Sequence, residues 1–133
     1  MSIFIRSLAT ACTLLLALQT AQADTKLQQQ RQLYKKAKSE LEAGRSDSYL
    51  ANRNFLQDYP LQAYLAYDEL TLRLSHASDK EIETFLADNA DLPQLRWMKL
   101  RWLRQLAARG QWQLFEQYYQ PELRFTELDC LDG

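Results

Sequence analysis

Phe55-Leu56-Gln57-Asp58-Tyr59-Pro60-Leu61-Gln62-Ala63-Tyr64-Leu65-Ala66-Tyr67 is the stretch that decides the fold. A proline disfavours helix in the residue before it, so a segment arriving from about Asp47, with Tyr49, Leu50, Phe55 and Leu56, ends at Gln57 to Tyr59. Pro60 suits a first helical position and opens a new helix over Leu61 to Leu74. Thirty residues after Phe55, the run Phe85-Leu86-Ala87-Asp88-Asn89 repeats the F-L-x-D pattern, and Pro93 again opens the next segment. Short helices joined by tight turns at a period near 30 residues predict an all-α fold: short antiparallel helix hairpins stacked as an α-superhelix (solenoid) fragment. A closed six-helix bundle is the competing architecture.

The flanking segments carry the same punctuation. Upstream, Leu27, Tyr34, Ala37 and Leu41 lie on one helical face, with Gly44 as a C-terminal stop. The opposite face holds Gln29, Arg31, Lys35, Lys38 and Glu42. Downstream, Ser78 and Glu81 form an S-x-x-E capping box for a helix through Asn89, with Ile82, Phe85 and Leu86 inward. Gln94 to Arg109 is the best-patterned helix, with Leu95, Met98, Trp102, Leu103, Leu106 and Ala107 inward and Gly110 as its stop. A last helix, Gln111 to Tyr119, turns Trp112, Phe115 and Tyr119 inward before Pro121.

Composition agrees. The chain has 133 residues, 47% hydrophobic, with only three Gly and three Pro. That apolar content can build a core, and so few turn residues exclude an all-β protein. Lys and Arg number 16 against 17 Asp and Glu, with no basic block, which argues against nucleic acid as a partner.

The first residues read as a removable leader. Arg6 gives a positive start, Leu8 to Leu18 an apolar run, and Ala21-Gln22-Ala23 the small-x-small pattern read by signal peptidase. Gln19 and Gln22 interrupt the run before the roughly 20 apolar residues that a membrane span requires. Residues 1–23 are therefore expected to be a cleaved signal peptide. Asp24 then starts the exported chain, which has no membrane span. Cys12 leaves with the leader, so Cys130 stands alone in residues 24–133. An unpaired thiol in an oxidising compartment asks for a partner, unless it is simply a buried free thiol. No second Cys or His stands at ligand spacing to make a zinc site. Thr126 looks like an N-cap whose helix stops within a few residues, too short to stabilise itself.

These residues together resemble a family. Asp58-Tyr59-Pro60-Leu61 followed by Tyr64-Leu65-Ala66-Tyr67 is the most specific element. Tyr34, Phe85-Leu86, Asn89, Leu92-Pro93, Leu100 to Leu106, Ala107, Arg109-Gly110, Trp112, Thr126-Glu127 and Cys130 add to it. The order is similar to the N-terminal part of soluble lytic murein transglycosylases of the Gram-negative periplasm. The resemblance implies that residues 24–133 are the N-terminal part of a long α-superhelical domain, apparently truncated. It also implies a separate C-terminal lysozyme-like domain that cleaves the glycan strand of peptidoglycan, leaving 1,6-anhydromuramyl ends. There a single Glu, in an E-S dipeptide upstream of a G-L-M-Q string, acts as acid then base. None of the glutamates 40, 42, 69, 81, 83, 116, 122 and 127 precedes a serine, and Gly44, Gly110 and Gly133 leave no room for G-L-M-Q. No catalytic residue is carried over, and no cofactor or metal is implied. The resemblance also suggests that Cys130 pairs with a cysteine in missing sequence. The tail Leu131-Asp132-Gly133 departs from the expected aromatic-rich helix; truncation, a frameshift or a short paralogue each account for that.

Other constellations read as structure first. Glu40/Glu42, Glu81/Glu83 and Asp88/Asp91 fit solvated helix faces and caps better than acid/base pairs. His76, the only histidine, falls in a turn without a nucleophile. Arg96, Lys99, Arg101, Arg104 and Arg109 give the fifth helix a basic side. Trp97 and Tyr118 fall off the apolar stripes, so Trp97, Tyr118, Arg101 and Arg104 are the candidate contacts for glycan or a neighbouring domain. The expected role is an exported, non-catalytic superhelical segment in peptidoglycan cleavage and turnover. Its partners would be peptidoglycan and the missing C-terminal domains. The alternative is a free-standing periplasmic helical-repeat adaptor for a protein partner.

Overall fold

The computed structural model describes the backbone of residues 2–120 and the side chains of residues 22–120. Its helices are α1 Ser2–Glu42, α2 Asp47–Asn52, α3 Gln62–Leu72, α4 Asp79–Asp88, α5 Leu95–Ala108 and α6 Trp112–Tyr118. No strand occurs among the described residues, so the protein is all-α as its sequence predicts. Among them no helix is long and apolar enough to cross a membrane. The chain forms two compact units that divide after Leu65. In the first, α1 packs on α2; in the second, α5 packs on α6. Thr126 and Cys130 lie outside the described residues.

Both glycine stops do what their positions demand. Gly44 has φ 78° and Gly110 has φ 70°, a left-handed conformation open to glycine without strain. Gly44 N–H bonds Leu41 O at 2.9 Å and Arg45 N–H bonds Glu40 O at 2.9 Å. Gly110 N–H bonds Ala107 O at 3.0 Å and Gln111 N–H bonds Leu106 O at 2.9 Å. Each is a Schellman motif, the paired bonds consuming carbonyls that a helix end leaves without partners. At the start of α4, Ser78 Oγ accepts from Glu81 N–H at 3.2 Å, the forward half of the capping box.

In the first unit Ala37, Leu41, Tyr49, Leu56 and Leu65 are buried. The reading of α1 needs one correction. Leu27 is exposed, and the inward position one turn on belongs to Gln30. Gln30 Nε2 donates to Phe55 O at 2.8 Å and to Asp58 Oδ1 at 2.6 Å, and Lys26 pairs with the other oxygen of Asp58. An amide that satisfies a backbone carbonyl can sit where periodicity alone expects a hydrocarbon. The ring of Tyr34 meets that of Tyr59, centroids 5.3 Å apart.

The second correction is to α2, which ends at Asn52 rather than near Gln57. Residues 53–59 are a run of turns, with Leu56 N–H bonding Asn52 O at 3.0 Å and Tyr59 N–H bonding Leu56 O at 2.9 Å. Leu56 is buried there, while Leu50 and Phe55 are exposed. The F-L-x-D echo is thus one of letters. Its first copy lies in turns and its second in the final helical turns of α4.

In the second unit the core is Leu70, Leu74, Ile82, Met98, Leu100, Trp102, Leu103, Leu106 and Phe115. Of the α5 stripe, Met98, Trp102, Leu103 and Leu106 fall inside as their spacing predicts, while Leu95 and Ala107 are half-buried. Trp102 is fully buried, and its Nε1–H donates to Asp79 Oδ1 at 2.8 Å; Arg109 donates to the same oxygen at 2.7 Å. That acid, in the first turn of α4, ties α4 to the middle and the C-terminal end of α5. Burial pushes the Asp79 carboxyl up, but the bonds from Trp102 and Arg109 together hold it below its ordinary value. Arg73 bridges buried Glu69 at 2.6 Å and Glu81 at 2.5 Å, linking the end of α3 to α4. Those bonds raise Arg73 above its usual value, and Arg73 in turn lowers Glu81.

Candidate functional site

The second unit carries an open groove of about 660 Å³. Three separate segments build it: the end of α4, the loop through Leu92-Pro93 with the first turns of α5, and the end of α6. Its floor is apolar, made by Leu86, Ala87, Ala90, Leu92, Pro93 and Leu95. Glu83, Arg96, Lys99, Tyr118 and Gln120 supply the polar groups.

Those polar groups are tied to one another. Tyr118 Oη donates to Glu83 Oε1 at 3.0 Å, and its ring packs edge-on against Trp102 with centroids 4.9 Å apart. Burial, followed by the neighbouring Glu83 carboxylate, pushes the Tyr118 hydroxyl above its ordinary value. Lys99 Nζ donates to Gln120 Oε1 at 3.0 Å and stands 5.9 Å from the centre of the Tyr118 ring. An apolar floor with a cation, an amide and a phenol along its rim suits binding of an amphipathic ligand.

The candidate contacts separate into two places. Trp97, Arg101 and Arg104 are spaced four and three residues apart, which puts them on one face of α5. All three are exposed, Trp97 at 55% of its full accessible surface. Tyr118 is instead half-buried in the groove, because Trp102 and Glu83 hold its ring and hydroxyl. Nor is the basic side of α5 one surface. Arg101 and Arg104 face outward, Arg96 and Lys99 line the groove, and Arg109 serves Asp79. Trp112 is a correction: it is 45% exposed rather than inward. Phe115 and Tyr119, stacked at 5.5 Å, take the inner face of α6, and Trp112 sits edge-on to Phe115 at 5.8 Å.

In two of the three acid pairs both members have a structural partner. Glu40 accepts from Ser48 N–H at 3.2 Å, Glu42 meets Lys38 at 3.4 Å, and Glu81 and Glu83 hold Arg73 and Tyr118. His76 Nδ1 lies 3.0 Å from Ser75 Oγ in a turn. Among the described residues no group of three His, Cys, Asp or Glu is placed to hold a metal ion. Sequence reading missed Glu83 and Gln120 as groove residues. Nothing in helical spacing signals a site assembled from three segments.

No family model matches the chain. Individual proteins do. The soluble lytic murein transglycosylase of Escherichia coli K12 is 30% identical over 125 residues, 94% of this chain and 19% of that protein. That of Salmonella typhimurium is 29% identical over the same shares. Among solved structures, the X-ray structure of an inactive mutant of the lytic transglycosylase Slt from Pseudomonas aeruginosa matches with a TM-score of 0.73 and 59% identity. That match covers 76% of this chain and 16% of the Slt chain. The resemblance read from Asp58 to Tyr67 and its surroundings therefore extends to measured sequence and fold similarity. The chain spans about one fifth of the length of the curated relatives it matches.

Proposed function

We propose that this chain is an exported helical segment of a lytic-transglycosylase-like protein, working in peptidoglycan turnover as scaffold and contact surface, with no catalysis of its own. The observation that carries this reading is the lopsided match: 94% of the chain lies on 19% of a murein transglycosylase. The engagement of Glu40, Glu42, Glu81 and Glu83 by structural partners supports it, because a general acid must be available to the substrate. Trp97, Arg101 and Arg104 form the contact face of this reading, an aromatic surface and two cations directed to solvent. Export is supported by the leader pattern of residues 1–23. The proposed address is the periplasm.

The test uses purified murein sacculi. The chain recovered from the periplasm should begin at Asp24 by intact mass and release no 1,6-anhydromuropeptides. It should sediment with sacculi in a manner that Trp97→Ala with Arg101→Glu weakens at least threefold. Release of anhydromuropeptides overturns the non-catalytic reading. Unchanged sedimentation of the double variant overturns the contact face.

A further inference from the structure

We propose that a pocket of the first unit, lined by Lys26, Asn54, Phe55, Gln57 and Asp58, binds a pyranose ring of an uncharged saccharide. The pocket is open and about 470 Å³, within the range of small-ligand sites. Lys26 comes from α1 and the other four residues from the run of turns after α2. Its shape is set before any ligand arrives. Gln30, one helical turn on from Lys26, donates to Phe55 O at 2.8 Å and to Asp58 Oδ1 at 2.6 Å, while Lys26 holds the other carboxylate oxygen. The backbone beneath the Phe55 ring and the Asp58 carboxylate are thus fixed, which leaves less ordering for binding to impose. Three features choose the ligand. The one cation and the one anion of the pocket are paired with each other, so a charged ligand gains no uncompensated partner. The exposed amides of Asn54 and Gln57 each present a donor and an acceptor, which matches hydroxyls that donate and accept. Asp58 adds acceptor positions beyond the two already bonded, and hydroxyl donors bond a carboxylate strongly. The exposed ring of Phe55 supplies the flat apolar surface on which the C–H face of a sugar ring can lie. The inference goes beyond the peptidoglycan reading: the contact face of that reading, Trp97 with Arg101 and Arg104, belongs to the second unit, and either can fail alone.

The experiment is an NMR titration of the full chain with chitotriose and with maltotriose, both uncharged, and with triglutamate and trilysine as charged controls. At least one saccharide should give saturable amide shifts confined to Lys26, Gln30 and residues 54–58, and the charged peptides should give none there. Asn54→Ala combined with Gln57→Ala should weaken that binding about fivefold or more. Phe55→Leu, which keeps an apolar side chain but removes the flat ring, should weaken it as well. All three positions are exposed, so thermal melting should not change. Absence of a saturable shift with either saccharide overturns the proposal, as does tighter binding of a charged peptide or unchanged affinity in the double variant. Saccharide shifts at Trp97 and Arg101 in place of these residues would uphold the contact face of the second unit and overturn this pocket.

Discussion

Asp79→Ala should be among the most damaging single changes outside the hydrocarbon core, and its cost follows from the geometry. The indole N–H of Trp102 is fully buried and bonded to Asp79 Oδ1 at 2.8 Å. Removing the acceptor leaves a buried donor without a partner, which costs about 1–3 kcal/mol. The lost negative charge in the first turn of α4 adds about 0.3–1 kcal/mol. The bond from Arg109, a half-exposed side chain, contributes about 0–1 kcal/mol after solvent screening. The expected total is about 1–5 kcal/mol. Asp79→Asn keeps an oxygen for the indole and loses only the charge, so it should cost about 1 kcal/mol. Urea unfolding is read from Trp102 emission in a background carrying Trp97→Phe and Trp112→Phe, both exposed positions. The linkage has a definite sign. The Asp79 carboxyl is lowered in the folded protein, so its contribution is present above the unfolded value near 4 and disappears as pH falls through the folded value. The gap between parent and Asp79→Asn should therefore close in acid. Equal losses from Ala and Asn, both below about 0.5 kcal/mol, would refute the claim that this acid ties α4 to α5.

The remaining predictions concern local devices. Gly110→Ala should cost about 1 kcal/mol by thermal melting. A Cβ there meets no atom within 4 Å, so the penalty is backbone conformation alone, and Gly110→Asn should recover part of it. Gln30→Ala should cost about 1–2 kcal/mol, because the Phe55 carbonyl loses its donor. In the same variant the Asp58 carboxyl, now lowered first by Lys26 and next by Gln30, should titrate at higher pH by NMR.

Legibility in the sequence tracked how local the governing physics is. Gly44, Ser78 and Gly110 were readable because a stop or cap is decided within a few residues of backbone. The α5 stripe was readable because Met98, Trp102, Leu103 and Leu106 follow one period. Failures came where a polar group satisfies a distant one. Gln30 and Glu69 are buried, the amide on Phe55 O and Asp58, the acid on Arg73, and periodicity assigns such residues to solvent. Trp112 failed for a different reason. On a helix as short as Trp112–Tyr118, Phe115 and Tyr119 suffice to cover the inner face, so the first residue stays at the rim. The groove was illegible because three segments build it, none unusual by itself.

The shortest helices show most clearly why this chain depends on side-chain ties. Six residues of α2 and seven of α6 are far below the ~12–15 at which an isolated helix begins to persist. Ser46, at the N-cap of α2, makes no side-chain cap bond. The missing acceptor comes from the preceding helix, where Glu40 receives the Ser48 N–H at 3.2 Å. Buried Tyr49 anchors the inner face, with its hydroxyl accepting from Gln62 at 3.2 Å. At the other end α6 is pinned by buried Phe115, by Tyr118 against Trp102, and by the Tyr118 bond to Glu83. Each short helix therefore exists because a longer neighbour supplies a carboxylate and an apolar bed. It follows that Glu40 and Glu83 are fixed by the fold before any ligand is considered. A charge-reversing change at either would loosen a helix, and a loss of binding there would say nothing about direct contact. Trp97, Arg101 and Arg104 face solvent, so substitutions at those three positions report on recognition with the least disturbance to the core.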